Sequence, residues 1–557
     1  MSTKAYYTHE EIGKGKPGFS KTRSIIEGAF YGNNVIEVKD LKQAYDLAKN
    51  SPGTIVTDMP VFKPEELGLE EDAKVLLFND GSVTGRCAAA RRIAGEPGVD
   101  TNDLDLKVMD AIYDTRWTTM YHAQVYIGLD PEFMVKAHLL IPEGEENILY
   151  SWMLNFQYES EEYQKMYQNS KLIGNETDIY IVSDPQWENK EHPLGLTYFN
   201  TETNCAALLG MKYFGEHKKG TLTIAWAIAN RNGYASCHGG QKEFQVSPER
   251  HYVASFFGLS GSGKSTLTHA THDNKYNDIT VLHDDAFIIN TQTGSSIAME
   301  PTYFDKTADY PTGYEDNKYL LTAQNCSATR DSEGKVVLVT EDIRNGNGRA
   351  IKSKLWSPNR VDKIKSPVSA IFWIMKDPTI PPIVKVKGAD LAAVMGATLA
   401  TKRTSAERLA PGVDPDRLVV EPYANPFRTY PLVNDYEKFR DLVKDRNVDC
   451  YILNTGDFMG KDIMPATTIS VIEQVVEDTA QFEPWGPFSN MDILKVEGYT
   501  PDFTDDEYVN RLKARMTDRL NFIFEKDVEN GGYNALPTEA KEALAKVISE
   551  AHNHVKK

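Results

Sequence analysis

Residues 252–270 read YVASFFGLSGSGKSTLTHA, and this stretch decides the fold. Gly258–Ser265 match the pattern G-x-x-x-x-G-K-[ST], in which glycines let successive backbone N–H groups turn inward around an anion. The apolar run Tyr252–Phe257 leads into this loop, and Ser265–Ala270 can begin a helix whose dipole attracts phosphate. A strand, a phosphate loop and a helix in this order predict an α/β chain that binds a nucleoside triphosphate.

The side chains of the loop have separate predicted roles. Lys264 places a positive charge on the outer phosphates, Ser265 offers its hydroxyl to Mg²⁺, and Ser260 orients phosphate or substrate. The predicted nucleotide-binding residues of the loop are Gly258, Leu259, Ser260, Gly261, Ser262, Gly263, Lys264, Ser265 and Thr266.

Two adjacent carboxylates follow the loop. The apolar run from Thr280 ends in Asp284 and Asp285, about twenty residues after Lys264. A pair of acids is often a solvated turn, but a metal bound to phosphates needs anionic oxygen ligands opposite them. The spacing therefore favours a metal site at Asp284 and Asp285.

Composition limits the class of protein. The chain has 557 residues, a net charge of −19 and five cysteines without a C-x-x-C pair. The acidic balance argues against nucleic acid or an anionic membrane as partner, and the cysteines indicate reduced thiols in a cytoplasmic protein. No apolar run reaches the ~18 residues of a membrane span.

The polar stretch Gly239–Arg250 suggests a boundary near residue 245, and hence domains 1–245 and 246–557.

Secondary structure is predicted as mixed α/β throughout. Near the C-terminus, Thr504 and Glu507 form a predicted capping box. It is followed by an apolar face with a spacing of four residues, formed by Tyr508, Leu512, Met516, Leu520 and Phe524. The predicted strands are Lys74–Phe78, Asp178–Val182, Tyr252–Phe257, Ile279–Leu282, Ser369–Met375 and Tyr451–Leu453.

Further motifs precede and follow the loop. Upstream lie Val83-Thr-Gly-Arg86, Asp184-Pro-Gln-Trp187, Tyr213-Phe-Gly-Glu-His-Lys-Lys219-Gly and a lone His238, and downstream lie Glu300, Arg349, Leu453-Asn-Thr-Gly456 and Thr468. Any one of these is weak. Their order together with the loop and the paired aspartates resembles the ATP-dependent phosphoenolpyruvate carboxykinases over roughly residues 75–525.

The resemblance implies a reaction and a metal site. A carboxy-lyase of this family interconverts oxaloacetate and ATP with phosphoenolpyruvate, CO₂ and ADP, in gluconeogenesis or in an anaplerotic direction. It implies that Lys219, His238 and Asp285 hold Mn²⁺, and that Ser265 binds the Mg²⁺ of ATP while Asp284 holds the waters of that ion. The chemistry fits, because cations stabilise both the enolate and the transferring phosphoryl group.

The resemblance also assigns the substrate pocket. It implies that Arg86 grips the substrate carboxylate, with Tyr213 beside the departing CO₂, and that Arg349 bridges substrate and γ-phosphate. The remaining nucleotide contacts that it implies are Glu300, Arg349, Ile463 and Thr468.

The implied fold is an N-terminal α/β domain and a mixed α/β nucleotide domain, with the site in the cleft between them. A lid over this cleft is placed at Pro378–Gly396.

The chain is a divergent member, since Cys87-Ala-Ala-Ala follows Arg86 where the family has Ser-Pro-Lys-Asp-Lys. Asp462 stands where the family has an arginine on the adenine, so the preferred base is open.

Two other functions stay open. One is a kinase with a phosphate loop that acts on a protein or small-molecule hydroxyl, which would not need the lysine and histidine metal ligands or Arg86. The other is a nucleotide-binding relative without catalysis. Small molecules are the expected partners, and a monomer or small homo-oligomer is the expected assembly.

Overall fold

The apolar run before the glycine-rich loop forms an interior strand of a mixed sheet in the computed structural model. The structure describes residues 1–12, 19–79, 87–259, 261–341, 343, 346–402, 412 and 418–555. All six predicted strands are found, and the α/β class is confirmed. Their observed bounds are Lys74–Phe78, Ile179–Asp184, Arg250–Phe257, Asp278–His283, Ala370–Met375 and Asp449–Asn454.

The chain forms two compact units that interleave along the sequence. The first unit consists mainly of Met1–Ile228 and Met299–Pro358, and the second mainly of Ala229–Ala298, Asn359–Thr404 and Asp414–Lys557. The chain therefore leaves the first unit and returns to it before completing the second.

The polar stretch around residue 245 is a β-hairpin and not a linker. Strand Tyr234–Ser247 pairs antiparallel with strand Arg250–Phe257. Its polar side chains have partners in the sheet: Gln241 donates to Ser255 at 2.9 Å, and Glu243 lies 3.1 Å from His251. The division at residue 245 stays a prediction about how substrate and nucleotide binding are shared along the chain.

Two sheets dominate the first unit. One contains, in spatial order, Val35–Val38, Met120–Asp130, Phe133–Pro142, Ile179–Asp184, Cys205–Leu209, Leu196–Asn200 and Arg91–Ile93, with Gln157–Tyr158 beside Met120–Asp130. The other contains Tyr303–Lys306, Arg349–Lys352, Leu320–Gln324, Lys74–Phe78 and Thr54–Pro60. Ser327–Arg330 and Val336–Val339 form a separate hairpin. The helices are Lys21–Ala29, Leu41–Asn50, Thr101–Asp114, Glu146–Asn155, Glu161–Gln168 and Phe214–Arg231.

One large sheet organises the second unit. Its spatial order is Lys363–Ile364, Ser296–Ala298, Ala286–Asn290, Tyr234–Ser247, Arg250–Phe257, Ala370–Met375, Asp449–Asn454, Ile383–Val386, Met491–Leu494 and Phe482–Pro484, with Asp278–His283 beside Tyr234–Ser247. Short pairs join Ala400–Lys402 to Leu418–Val420 and Asp457–Phe458 to Lys461–Asp462. The helices are Lys264–His269, Ala389–Ala397, Leu432–Arg446, Pro465–Val476, Asp506–Val528 and Thr538–Val555.

Three neighbouring strands of this sheet run parallel. Arg250–Phe257 pairs with Ala370–Met375, which pairs with Asp449–Asn454. Their carboxyl ends meet at one edge, where α/β sheets commonly bind ligands. The glycine-rich loop begins at this edge, directly after Phe257.

Helix Asp506–Val528, the one predicted from the capping box, differs from its prediction at both ends. Asp505, not Thr504, caps it, because the Asp505 side chain accepts from the Glu507 backbone N–H at 2.9 Å. Tyr508, Leu512 and Met516 are buried, but Phe524 is 48% exposed. A spacing of four residues advances about 40° per step beyond a full turn, so the predicted stripe rotates away from the core.

The predicted lid segment lies in the interior of the second unit. Within Pro378–Gly396, strand Ile383–Val386 pairs on both sides, and the helix that follows buries Leu391 to Ala397. Its apolar composition explains this, since exposing it would cost hydrophobic free energy. The lid assignment was wrong.

Among the described helices, none combines the length and apolarity required to cross a bilayer.

Candidate active site

The phosphate loop owes its shape to its glycines. A Cβ on Gly258 would lie 2.3 Å from Ser262 Oγ and 3.1 Å from Ile374 Cβ, so no larger residue fits there. Gly261 and Gly263 have φ of +79° and +93°, a region that favours glycine. The predicted helix follows at Lys264–His269, with Ser265 and Thr266 exposed and Leu259 buried.

Neighbouring strand ends support the loop. Thr455 Oγ1 donates to the Ser262 carbonyl at 2.8 Å, and Lys376 Nζ donates to the Gly261 carbonyl at 3.1 Å. Sequence analysis included Thr455 only within the motif Leu453–Gly456 and did not single out Lys376, although each residue directly follows a strand parallel to the loop strand. Ser262 Oγ is buried and has no hydrogen-bond partner among the described residues, which suits a site made for an acceptor such as phosphate. Ser260 lies outside the described residues.

The paired aspartates lie beside the loop lysine. Lys264 Nζ is 3.5 Å from Asp285 Oδ1. The turn that carries them is held by buried His283, whose Nδ1 accepts from the Asp285 backbone N–H at 3.1 Å. The structure therefore brings Lys264, Asp284 and Asp285 together at the loop, as expected from their spacing.

Asp284 is held as a carboxylate despite its burial. Burial raises its pKa, but a hydrogen bond and the charge of His269, at 3.5 Å, together with His283 and Lys264, hold the pKa of Asp284 well below its usual range. An ionised Asp284 at neutral pH suits the predicted contact with the hydration shell of Mg²⁺.

His238 presents one ring nitrogen to Asp285. Its Nδ1 lies within hydrogen-bond distance of the Ala424 carbonyl, and its Nε2 lies 3.0 Å from Asp285 Oδ1. Because a carbonyl only accepts, Nδ1 carries a proton, and Nε2 and the carboxylate need a shared proton or cation. A histidine oriented by a backbone carbonyl is typical of metal ligands.

The residues present fit a divalent cation at this point. Imidazole and carboxylate together suit Mn²⁺, while the exposed hydroxyl of Ser265 and the carboxylate of Asp284 are oxygen ligands of the type that Mg²⁺ prefers. Within the described residues, no group of three or more His, Cys, Asp and Glu side chains forms a complete metal site by itself. The predicted set differs from such a group because its third member is a lysine.

The predicted adenine contacts lie on the loop and helix after Asn454. Ile463 and Thr468 are buried, and the Ile463 backbone N–H donates to the Gly456 carbonyl at 2.9 Å. Asp462 is exposed, and its carbonyl accepts from the Tyr499 hydroxyl at 2.6 Å. Asp462 therefore presents a carboxylate where the resemblance led us to look for a cation.

In the first unit, Tyr213 is fixed at the start of helix Phe214–Arg231. A Cβ on Gly215 would lie 2.2 Å from the Tyr213 ring, so only glycine allows the ring to fold back over the helix start. The Tyr213 and Phe304 ring centroids are 6.2 Å apart. The Phe214 backbone N–H donates to Gln324 Oε1 at 3.2 Å, which ties the helix to the five-stranded sheet.

Arg349 is a buried cation on that sheet. It is 3% exposed and pairs in register with Gln324 and with Lys306 on its two neighbouring strands. Its Nη1 donates to the Gly348 carbonyl at 3.0 Å, and its Nη2 has no hydrogen-bond partner among the residues that the structure describes. Burial and then the Arg349 charge lower the pKa of Lys306. Lys306 is half-buried, and the nearby charge of Asp309 opposes this shift.

Helix Phe214–Arg231 also carries Lys219 and Glu216. Lys219 is half-buried, with Nζ 5.7 Å from the Trp226 ring centroid. Glu216 accepts from the Cys87 backbone N–H at 3.2 Å, which anchors the residue directly after Arg86. Arg86 itself lies outside the described residues.

Glu300 is placed differently from its predicted nucleotide contact. It is fully buried, lies 3.0 Å from Lys218 Nζ and accepts from Asn155 Nδ2 at 2.6 Å. A carboxylate engaged by a buried lysine and an amide within the first unit holds the helix next to Lys219. This placement makes it a structural partner of Lys218.

A cavity of about 550 Å³ opens beside Tyr213. It is bounded by Tyr213, Lys212, Cys87 and the segment from Pro185 to Gly195. The motif Asp184-Pro-Gln-Trp187 therefore contributes to a pocket wall, and the volume suits a small-molecule ligand.

Comparisons with known proteins identify one family. A family model described as phosphoenolpyruvate carboxykinase matches residues 62–485, which are 424 of the 557 residues. A phosphoenolpyruvate carboxykinase (ATP) of Aeropyrum pernix is 25% identical over 348 residues, covering 58% of this chain and 67% of that protein.

Two shorter similarities point the same way. The glycosomal phosphoenolpyruvate carboxykinase (ATP) of Trypanosoma brucei brucei is 30% identical over 134 residues, covering 24% of this chain and 26% of that protein. The phosphoenolpyruvate carboxykinase (ATP) of Fusobacterium nucleatum is 23% identical over 218 residues, covering 36% and 39%. The chain thus spans two thirds of one of these relatives and well under half of the other two.

Proposed function

The chain belongs to the ATP-type phosphoenolpyruvate carboxykinase family, and from this we propose that it interconverts oxaloacetate and ATP with phosphoenolpyruvate, CO₂ and ADP. In the direction of phosphoenolpyruvate, the C–C bond to the departing carboxylate breaks and its electron pair forms an enolate. The enolate oxygen then attacks the γ-phosphorus in line, and ADP leaves.

The buried cations of the chain account for both steps. Lys264 and the glycine-rich loop hold the outer phosphates. Arg349, whose Nη2 lacks a hydrogen-bond partner within the described part of the chain, bridges the substrate and the γ-phosphate. Arg86 binds the substrate carboxylate and Tyr213 stands beside the departing CO₂. Lys264 and Arg349 are buried in the folded chain, and charges held in place before reaction are a main source of electrostatic catalysis.

Divalent metals complete the proposed site. His238 and Asp285, with Lys219 as predicted third ligand, would hold Mn²⁺, and Ser265 with Asp284 would serve Mg²⁺. Such ions act as Lewis acids that stabilise negative charge on the enolate and the phosphates. The preorganised Nδ1 contact of His238 keeps its Nε2 directed at Asp285 before any ion binds.

One observation carries this proposal over a simple kinase. His238 Nε2 and Lys264 Nζ both approach the same oxygen, Asp285 Oδ1, at 3.0 and 3.5 Å. A kinase acting on a hydroxyl needs a base near the γ-phosphate and has no need of a histidine at the metal. A second metal position next to the phosphate loop suits a reaction in which an enolate is formed and then phosphorylated.

The test is a coupled assay in the carboxylating direction. Purified protein is mixed with phosphoenolpyruvate, bicarbonate, Mg²⁺, Mn²⁺ and either ADP or GDP, and oxaloacetate is reduced by malate dehydrogenase. We expect turnover with ADP and a loss of at least ~100-fold in His238→Ala, because a metal ligand is removed.

The matched control is His251→Ala, a histidine of the adjacent strand whose side chain is 43% exposed. It should retain full turnover. Failure of both ADP and GDP to support turnover, while Mg·ATP still binds tightly, would reject the carboxykinase and favour a kinase or an inactive relative. Faster turnover with GDP than with ADP would correct only the predicted nucleotide base and leave the carboxykinase reaction in place.

Use of Mg²⁺ and Mn²⁺, a monomeric or small oligomeric state and a cytoplasmic location are part of this proposal. Metal titration, light scattering and fractionation test them separately. The name of the Trypanosoma brucei brucei relative places that protein in the glycosome.

A further inference from the structure

A buried lysine caps the helix that follows the phosphate loop. Lys242 is fully buried, and its Nζ donates to the carbonyls of Leu267 and Ala270 at 2.6 and 3.1 Å. These carbonyls lie at the C-terminal end of helix Lys264–His269, where backbone acceptors lack partners within the helix. A positive charge there also complements the helix dipole.

The third donor of the ammonium connects this end of the helix to a carboxylate. Lys242 Nζ lies 2.8 Å from His272 Nε2, and His272 Nδ1 lies 2.8 Å from Glu473 Oε1. Burial and then the charge of Lys242 lower the pKa of His272, so the ring is neutral. Its Nε2 then accepts from Lys242, while its Nδ1–H donates to Glu473. All three ammonium donors are used, and Glu473 supplies the countercharge through the ring.

The turn that brings His272 to Lys242 is strained. His272, Asp273 and Asn274 have φ of 53°, 53° and 58° in succession. Residues other than glycine rarely occupy this region, and such a run persists only where surrounding contacts hold it. The hydrogen bonds of Lys242 and Glu473 to the His272 ring help to hold this one, beside the backbone hydrogen bond from Lys275 N–H to the His272 carbonyl at 3.0 Å.

We propose that Lys242 is a positioning residue for nucleotide binding, which fixes the far end of the phosphate-loop helix through His272 and Glu473. The loop between strand Arg250–Phe257 and this helix depends on these two elements for its shape, together with the Thr455 and Lys376 hydrogen bonds described above. Anchoring the helix end therefore keeps the backbone N–H groups of the loop turned toward the phosphates. This inference rests on the phosphate-loop part of the proposed function.

Burial lowers the pKa of Lys242 to about 7, which the charge of Glu473 opposes.

Lys275 is the natural comparison, since its ammonium also contacts Glu473, at 3.3 Å, and Glu477, at 2.6 Å. Lys275 is largely exposed, and the carboxylates are its contacts. Replacing Lys275 therefore removes a similar charge from the same carboxylate and leaves the hydrogen bonds of Lys242 to the helix carbonyls unchanged.

The experiment compares Lys242→Met, Glu473→Gln and Lys275→Met with the wild-type chain. Calorimetric titration gives the Kd for Mg·ATP, and the coupled assay gives the KM for phosphoenolpyruvate. We expect Lys242→Met to weaken Mg·ATP at least tenfold and Glu473→Gln three- to fivefold. Lys275→Met should stay within twofold, and the KM for phosphoenolpyruvate should change less than twofold in every variant.

A folded Lys242→Met with a wild-type Kd for Mg·ATP would overturn the proposal, and so would an equal rise in both constants. If Lys242→Met does not fold, the Kd of Glu473→Gln for Mg·ATP decides. A Kd of Glu473→Gln equal to that of Lys275→Met would count against the proposal. A wild-type chain that binds Mg·ATP without turnover would reject the carboxykinase and leave the Kd comparison valid. Absence of Mg·ATP binding by the wild-type chain would overturn both.

Discussion

Asp435 is a buried carboxyl group whose protonation couples the folding of this protein to pH. It is 1% exposed, and its Oδ1 accepts from the Tyr430 hydroxyl at 2.9 Å and from Asn230 Nδ2 at 3.2 Å. Its Oδ2 has no hydrogen-bond partner in the part of the chain that the structure describes. Burial raises the pKa of Asp435 to about 6, although the charge of Arg428 opposes it.

This shift sets the direction of a pH effect. The folded chain binds the proton more tightly than the unfolded chain, whose Asp pKa is about 3.9. Stability is therefore lost as the pH rises from about 4 to 6, by about 2–3 kcal/mol in total. Asp435→Asn has no proton to lose, so its melting temperature relative to wild type should increase between pH 4.5 and 7.5, measured by calorimetry.

Asp445→Asn, an exposed position on the same helix, is the control and should show a constant difference across this range. A constant difference for Asp435→Asn would contradict the assignment of the buried proton.

Residues with a local motif were predictable at this scale, and residues held by distant partners were not. Lys264, Asp284 and Asp285 follow from the spacing of the loop and the strand after it. Lys242 gives no such signal, because its partner His272 lies 30 positions away and Glu473 lies 201 positions beyond that ring. A buried network of this kind becomes visible only when the fold has brought its members together.

At the scale of elements, the pair Lys218–Glu300 fixes helix Phe214–Arg231. Both side chains are essentially inaccessible, at 1% and 0%. Removing one charge of a buried pair leaves the other uncompensated, at a cost of about 3–5 kcal/mol. Glu300→Gln should therefore lower the thermal stability markedly and reduce turnover through the displaced Lys219, as measured by calorimetry and the coupled assay.

The exposed pair Lys165–Glu161, at 68% and 82%, provides the control. Glu161→Gln should cost about 0.5 kcal/mol or less. If Glu300→Gln left stability unchanged and weakened only ATP binding, the nucleotide contact inferred from its motif would be correct after all.

Element types were easier to predict than their ends and their environment. All six apolar runs formed strands, because short apolar runs next to turn residues have few alternatives. The exact cap of helix Asp506–Val528 and the exposure of Phe524 depend on how the helix rotates against the core, which spacing alone does not fix. The supposed lid was placed by analogy, and its apolar composition already favoured burial.

At the scale of the whole molecule, the first unit needs a late segment of the chain. Strand Leu320–Gln324 lies between Lys74–Phe78 and Arg349–Lys352 in the five-stranded sheet. A truncated chain of residues 1–245 lacks this central partner. We expect it to aggregate, with no slow hydrogen exchange at Leu76 and Leu77, because it exposes an apolar strand edge.

A chain of residues 1–358 retains the partner strand and should show protected amides at Leu76 and Leu77 by mass spectrometry. Cooperative unfolding of residues 1–245 alone would instead support an independent domain ending near residue 245. The interleaving could not be predicted from the sequence, because the pairing of residues 74–78 with residues 320–324 leaves no local pattern in either segment.

The same sheet has a consequence for synthesis on the ribosome. The strands Thr54–Pro60 and Lys74–Phe78 emerge some two hundred and forty residues before Leu320–Gln324. At about 5–20 residues per second, the nascent chain carries an open apolar edge for roughly ten seconds or more. Chaperones that bind exposed strands during translation are therefore expected to determine the yield of this protein more than its final stability does.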